Sequence, residues 1–174
     1  MSNWDKYFFD ICNTVAGNSK CLSRKIGAII TKNNKILCTG YNGPPRGVPH
    51  CDMRLVCNHP DEYLKFKFRK HNLNDNQILN KCPRQYLNYK SGEGLDICIA
   101  GHAERNCIVS AAEEGIRVKG TTMCMNCPIS CTPCLIEIIN SGIVEIVVTD
   151  LIYYDTQAQY LIDNSNIKIR KFNL

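Results

Sequence analysis

Long apolar runs are missing from this sequence: no stretch approaches the roughly 18 uninterrupted apolar residues that a membrane-spanning helix needs. It also lacks an internal repeat, a low-complexity tract and a linker rich in Pro, Gly or Ser, which argues against solenoids and tethered modules. The opening residues, MSNWDKYFFDIC, have no unbroken apolar core and no small-residue cleavage site. No signal peptide is therefore expected, and a cytoplasmic protein is. Charge of one sign does not dominate: 21 Lys+Arg against 16 Asp+Glu leave +5. That would attract phosphates mildly and falls short of a nucleic-acid-binding surface. With 44% hydrophobic and 21% charged residues, the composition is that of a globular chain and excludes disorder. At 174 residues the chain reads as a single domain, 1–174, too short for two of ordinary size.

Cysteine is the residue in excess, with 12 in the chain. Cysteines at this density mean either a disulfide framework in a small secreted protein or metal binding inside a cell. Length and the missing leader favour metal. Spacing does too: Cys131 and Cys134 make a CxxC knuckle, CTPC, while Cys51, Cys57, Cys82 and Cys98 are spread through a polar stretch that also holds His50 and His59.

Trp4, Tyr7, Phe8, Ile11, Cys12 and Val15 recur at helical spacing, and Ser2 with Asp5 resembles a capping box, which predicts an amphipathic helix over 3–17. The strand-like runs 26–32 and 35–41 flank Asn33-Asn34, a hairpin signature. From 42 to 97 the chain turns polar and rich in Gly, Pro and Cys. A structureless loop of that length is improbable in a compact domain. A short helix near 61–70 is expected there, with a metal to hold this Cys/His-containing insert, at about 50–98. Its KFKFRKH run (65–71) could stack on bases, but a solvated element with its Phe side inward is preferred. Helix is then predicted over 102–115, strand over 121–126, helix over 133–142, strand over 143–149, helix through 156–163 and strand over 167–172. This alternation predicts an α/β fold, a mixed sheet covered by helices on both faces.

His102, Glu104, Cys131 and Cys134 form the sharpest constellation. A catalytic zinc takes three protein ligands and keeps one position open for water. One imidazole and two thiols supply those ligands, each group opening a predicted helix, where the positive end of the dipole favours a thiolate. Glu104, two residues beyond the histidine, can reach over the open position and shuttle protons. H-x-E followed by P-C-x-x-C is the pattern of zinc nucleobase deaminases, which this chain matches but for Ser130 in place of the Pro. A lone CxxC could equally be a redox pair, and a lone HxE occurs by chance; together they point to a catalytic zinc. A second set, Cys21, Cys51, Cys57, His59, Cys82 and Cys98, could close a structural zinc site, or some of them could be small buried hydrophobes. Cys12, Cys38, Cys107 and Cys124 fall on apolar faces and read as core. Cys57 and Cys127 have no firm assignment.

The segments SKCLSRKIGAII (19–30), GYNGPPRGVPHC (40–51), SGEGLDIC (91–98), HAERN (102–106) and CTPCLIEIINSGI (131–143) resemble the deoxycytidylate (dCMP) deaminase family of the cytidine deaminase superfamily. The likeness runs from about residue 3 to 172 and thins over 53–80. It implies a three-layer α-β-α fold with a mixed five-stranded sheet, and hydrolysis of dCMP to dUMP with release of ammonia. By the same resemblance His102, Cys131 and Cys134 would hold the catalytic Zn²⁺ and Glu104 would move the protons. Asn42 would contact sugar and base, Tyr153 would lie near the substrate ring, Ala103 would be a further substrate-binding residue, and Ser23 and Lys25 would lie near the 5′-phosphate. Cys21, Cys51 and Cys98 match positions of a further, structural zinc, with Cys82 as fourth ligand and Cys57 or His59 as substitutes. A homo-oligomer, dimer or hexamer, and dCTP and dTTP as effectors are also implied; a membrane or a nucleic acid is not. Ser130 stands where the family usually has Pro before the first knuckle cysteine, and Glu113 where many members carry Arg. The competing readings are a deaminase of dCTP or of single-stranded nucleic acid, and a non-catalytic zinc module.

Overall fold

The structure, a computed structural model, describes residues 3–174. The chain divides into two compact units. The first comprises residues up to 19, 26–42 and 102–174; the second comprises 20–25 and 43–101.

The first unit begins with α1, Trp4–Ala16, whose N-cap is Asn3: its side chain accepts from the Lys6 N–H at 3.1 Å. Ser2, expected to cap this helix, lies outside the described residues. β1 (Gly27–Lys32) and β2 (Lys35–Tyr41) form the antiparallel hairpin. Asn33 and Asn34 turn it at φ 51° and 61°, the left-handed pair that a two-residue hairpin requires.

After the second unit come α4 (Ala103–Glu113), β3 (Thr122–Met125), α5 (Thr132–Asn140), β4 (Glu145–Val148), α6 (Thr156–Asp163) and β5 (Lys168–Lys171). The sheet order is β2-β1-β3-β4-β5, antiparallel across β2, β1 and β3 and parallel from β3 to β5. This is the mixed five-stranded sheet expected.

Strand residues alternate between two cores, as period-2 geometry dictates. Ile29, Cys124 and Val147 pack with Phe8 and Cys12 of α1 and with Phe172. Ala28, Ile30, Met123, Met125, Ile146 and Val148 pack on the other face against Cys107 and Ala111 of α4, Leu135 and Ile138 of α5, and Ala158 of α6. The result is three layers, one helix on one face and three on the other. Cys12, Cys38, Cys107 and Cys124, read as core, are all buried.

The second unit contains α2 (Glu62–Lys70), the short α3 (Pro83–Tyr86) and a single 3₁₀ turn at Leu95–Ile97. It has a hydrophobic core of its own: Leu55, Leu64, Phe68, Leu79, Leu87 and Ile97. Arg54, almost fully buried, donates to the Ile97 carbonyl at 2.8 Å and pairs with Asp61, which caps α2 through the Leu64 N–H. In the KFKFRKH run the two aromatics part: Phe68 is buried and Phe66 faces solvent. Among the described residues no helix is long and apolar enough to cross a membrane.

Candidate metal centre and active site

His102 and Cys131 are the N-caps of α4 and α5, both in extended backbone conformation (φ −74°, ψ 155° and φ −67°, ψ 161°). Both side chains stand at the starts of their helices, and α4 packs against α5. Cys134 lies one turn into α5 and is fully buried. His102 Nδ1 stands 3.4 Å from Cys131 Sγ and 3.3 Å from Cys134 Sγ. Among the described residues this is the one group of three or more His, Cys, Asp or Glu whose ligand atoms all lie within 4.8 Å of one another.

These distances fit a metal. Tetrahedral zinc, with Zn–S near 2.3 Å and Zn–N near 2.0–2.1 Å, sets a nitrogen and a sulfur about 3.5 Å apart. One nitrogen and two sulfurs is also a donor set that suits zinc and leaves a fourth position open.

Electrostatics prepare the donors. The hydrogen bond from Cys134, together with that of His102, holds the Cys131 thiol down at about 4 against burial. Cys134 is pushed up by its contact with Cys131 and by burial. The contact with Cys131 and the charge of Glu104 lift His102 above its ordinary value, opposed by burial. Metal binding takes thiolates, so a bound cation would favour loss of the proton from both cysteines.

Glu104 occupies the first turn of α4 and is 4% exposed. Arg105, its neighbour, turns outward and pairs with Glu137 of α5 at 2.8 Å, bracing the two helices that carry the ligands. The chain matches the family described as cytidine and deoxycytidylate deaminase zinc-binding region over residues 2–150. It belongs to that family.

The deoxycytidylate deaminase of Schizosaccharomyces pombe is 26% identical over 170 residues, which cover 98% of this chain and 44% of that one. The deoxycytidylate deaminase of Enterobacteria phage T2 is 32% identical over 152 residues, covering 79% and 74%. This chain spans less than half the length of the first of these. The crystal structure of dCMP deaminase from the cyanophage S-TIM5 in complex with dCMP and dUMP superposes with a TM-score of 0.63 at 19% identity, covering 95% of this chain and 94% of that one. The fold is shared.

The remaining expected residues are placed as follows. Asn42, 7% exposed, spends its side-chain oxygen on the Ile26 N–H at 2.8 Å, while its carbonyl accepts from the Ser19 hydroxyl. Its fixed position is thus part of the scaffold of the GYNG turn. Ala103 is fully buried and Tyr153 is exposed on the segment before α6.

Ser23 and Lys25 belong to the second unit. There Ser23, Arg24, Cys82, Arg84, Gln85, Tyr89, Lys90 and Ser91 line an open cleft of about 300 Å³. It holds three cations and no carboxylate. Lys25 is not among its lining residues.

Cys21, Cys51, Cys82 and Cys98 are all half-buried thiols of the second unit, none in a disulfide. Burial raises Cys51 to about 11, Arg54 opposing it and Cys82 and Cys21 adding to it. Cys57 points elsewhere, donating to the His59 carbonyl at 3.2 Å. No three of these residues close to mutual ligand distance as the His102 group does.

Two residues, one in each unit, carry no functional signal in the sequence. Asp155 has an N-cap signature, Asp-Thr before a helical run, but its carboxylate also accepts from the Thr132 N–H at 3.2 Å, a contact that depends on topology. Arg84 sits in a short PRQY segment without periodicity.

Proposed function

We propose that this chain hydrolyses dCMP to dUMP and ammonia, with Zn²⁺ held by His102, Cys131 and Cys134. The observation that carries the reading is the convergence of one imidazole and two thiols at the starts of α4 and α5, with buried Glu104 in the same helical turn as the histidine. Zinc in such a set supplies a bound water whose pKa is brought near neutrality. Glu104 would take a proton from the attacking water and pass it to N3 of the cytosine ring as the C4–O bond forms; the proton left on that oxygen would then pass through Glu104 to the amino group as the C4–N bond breaks. The balance is one water consumed and one ammonia released. A positioned carboxylate can serve as base and then as acid in such transfers, and Glu104 is 4% exposed.

Asn42 is assigned to sugar and base, Tyr153 to the substrate ring, and Ala103 to substrate binding. Ser23 and Lys25 are assigned to the 5′-phosphate; a cleft that joins Ser23 to Arg24, Arg84 and Lys90 supports an anion in the second unit. Cys21, Cys51, Cys98 and Cys82, or Cys57 or His59 in its place, are assigned to a structural zinc. A homo-oligomer, dCTP and dTTP as effectors and a cytoplasmic location complete the reading.

Ammonia release from dCMP by the metal-loaded chain, abolished by chelation and restored by zinc, is the outcome that supports this function; no release contradicts it. Metal content reads the second site: about two zinc per chain support it and one removes it.

A further inference from the structure

One carboxylate, that of Asp155, joins the N-termini of two helices. At its own helix it is the N-cap of α6, extended in backbone (φ −153°, ψ 167°), with Oδ1 accepting from the Ala158 N–H at 2.7 Å. Across the fold it takes both donors of Thr132: Oδ2 accepts the backbone N–H at 3.2 Å and Oδ1 accepts the hydroxyl. Thr132 is the first residue of α5 and follows Cys131 directly. The first N–H groups of a helix have no partner within it. Between the two knuckle cysteines only Thr132 has an N–H to give, because Pro133 has none. Asp155 therefore grips the knuckle at the one residue between its sulfurs that offers both a backbone and a side-chain donor.

We propose that Asp155 is a positioning residue for the metal: through Thr132 it fixes the first turn of α5 and so the aim of Cys131 and Cys134 toward His102. The same carboxylate anchors the segment that carries Tyr153, so knuckle and substrate-side segment move as one piece. The proposal rests on the zinc reading above. Groups that orient ligands without touching the metal commonly change metal affinity ten- to a hundred-fold when removed.

Thr132→Val is the decisive variant, because it deletes the hydroxyl bond while leaving the Asp155 cap on α6 intact. Zinc release from the full chain to a chromophoric chelator is measured beside the thermal midpoint, kcat and KM. Thr132→Val and Asp155→Asn should release zinc about ten-fold faster or more, and Thr132→Ser should return the rate to within about two-fold of the parent. For Thr132→Val the thermal midpoint should stay near the parent's, and kcat should fall more than KM rises. Zinc release at the parent rate in both Thr132→Val and Asp155→Asn overturns the role of Asp155 and leaves the deaminase reading standing. A parent chain that binds no zinc overturns both.

Discussion

Gly40 of β2 meets the backbone of Cys107 of α4 with no side chain between them: a Cβ at position 40 would lie 2.4 Å from the Cys107 nitrogen and 2.6 Å from the Ala103 carbonyl oxygen. The atoms in the way are backbone, which cannot swing aside. Helix and strand therefore touch main chain to main chain, and the start of α4, with His102 and Glu104, is set by that contact. Gly40→Ala should destabilise the chain by about 1–3 kcal/mol or more, as overpacking of a core does. Chemical denaturation of the two proteins reads this directly. Because the shift falls on α4, zinc uptake should weaken in the same variant.

Glu104 is the residue whose loss separates metal binding from chemistry. Glu104→Gln keeps the shape of the side chain and removes its proton transfer, a contribution of about 10²–10⁴ in rate. Metal analysis should find zinc unchanged while kcat on dCMP falls by about that factor. Near-normal turnover would exclude Glu104 as the proton shuttle.

Arg84 lines the cationic cleft of the second unit, with its Nε buried and without a hydrogen-bond partner among the described residues, and its Nη2 donating to the Lys90 carbonyl at 3.0 Å. A hydrogen bond between charged groups contributes about 1.5–3 kcal/mol, so Arg84→Gln should weaken binding of inorganic phosphate to this cleft roughly ten-fold or more. Phosphate titration of the parent and the variant tests this outcome; equal affinity would exclude Arg84 as an anion contact.

Acid should weaken the hold of α1 on the sheet. The Arg170 guanidinium, donating to both Asp5 oxygens at 2.6 and 3.0 Å, holds the Asp5 carboxyl below its ordinary 3.8 against burial, and the Asn173 N–H adds to this. A carboxyl with a lowered folded pKa contributes stability that is fully present above its unfolded value and is lost as pH falls through the folded one. Asp5→Asn should therefore melt below the parent at pH 7, by roughly 2–4 °C for each kcal/mol lost, and the difference should shrink as pH falls below 3.8 and through the lowered folded value. Thermal scans across that range give the comparison.

The layered unit was legible because its elements carry their own periodicity. Ile29 alternates with Ala28 and Ile30, Asn33-Asn34 supplies left-handed turn residues, and His102 and Cys131 each stand just before a helical run. Element ends moved by no more than two residues, since the caps, not the apolar pattern, decide them. The second unit was legible only in part. Its core joins Leu55, Leu64, Phe68, Leu79, Leu87 and Ile97, which are spread through the polar insert with no shared period. The sequence therefore suggested a metal where a hydrophobic core and buried Arg54 do at least part of the holding. At the site, the ligands could be read from residue type and spacing, but Asp155–Thr132 could not. That contact joins two helix starts that are neighbours only once β3 and β4 lie side by side.

The central claim is that the His102, Cys131, Cys134 and Glu104 group deaminates a cytosine mononucleotide. Ammonia release from dCMP, dCTP, cytidine, tRNA and single-stranded DNA, measured side by side with the zinc-loaded chain, tests it most directly. The account predicts that dCMP gives the highest kcat/KM of the five. A preference for either polymer, or release from none of them, would contradict it.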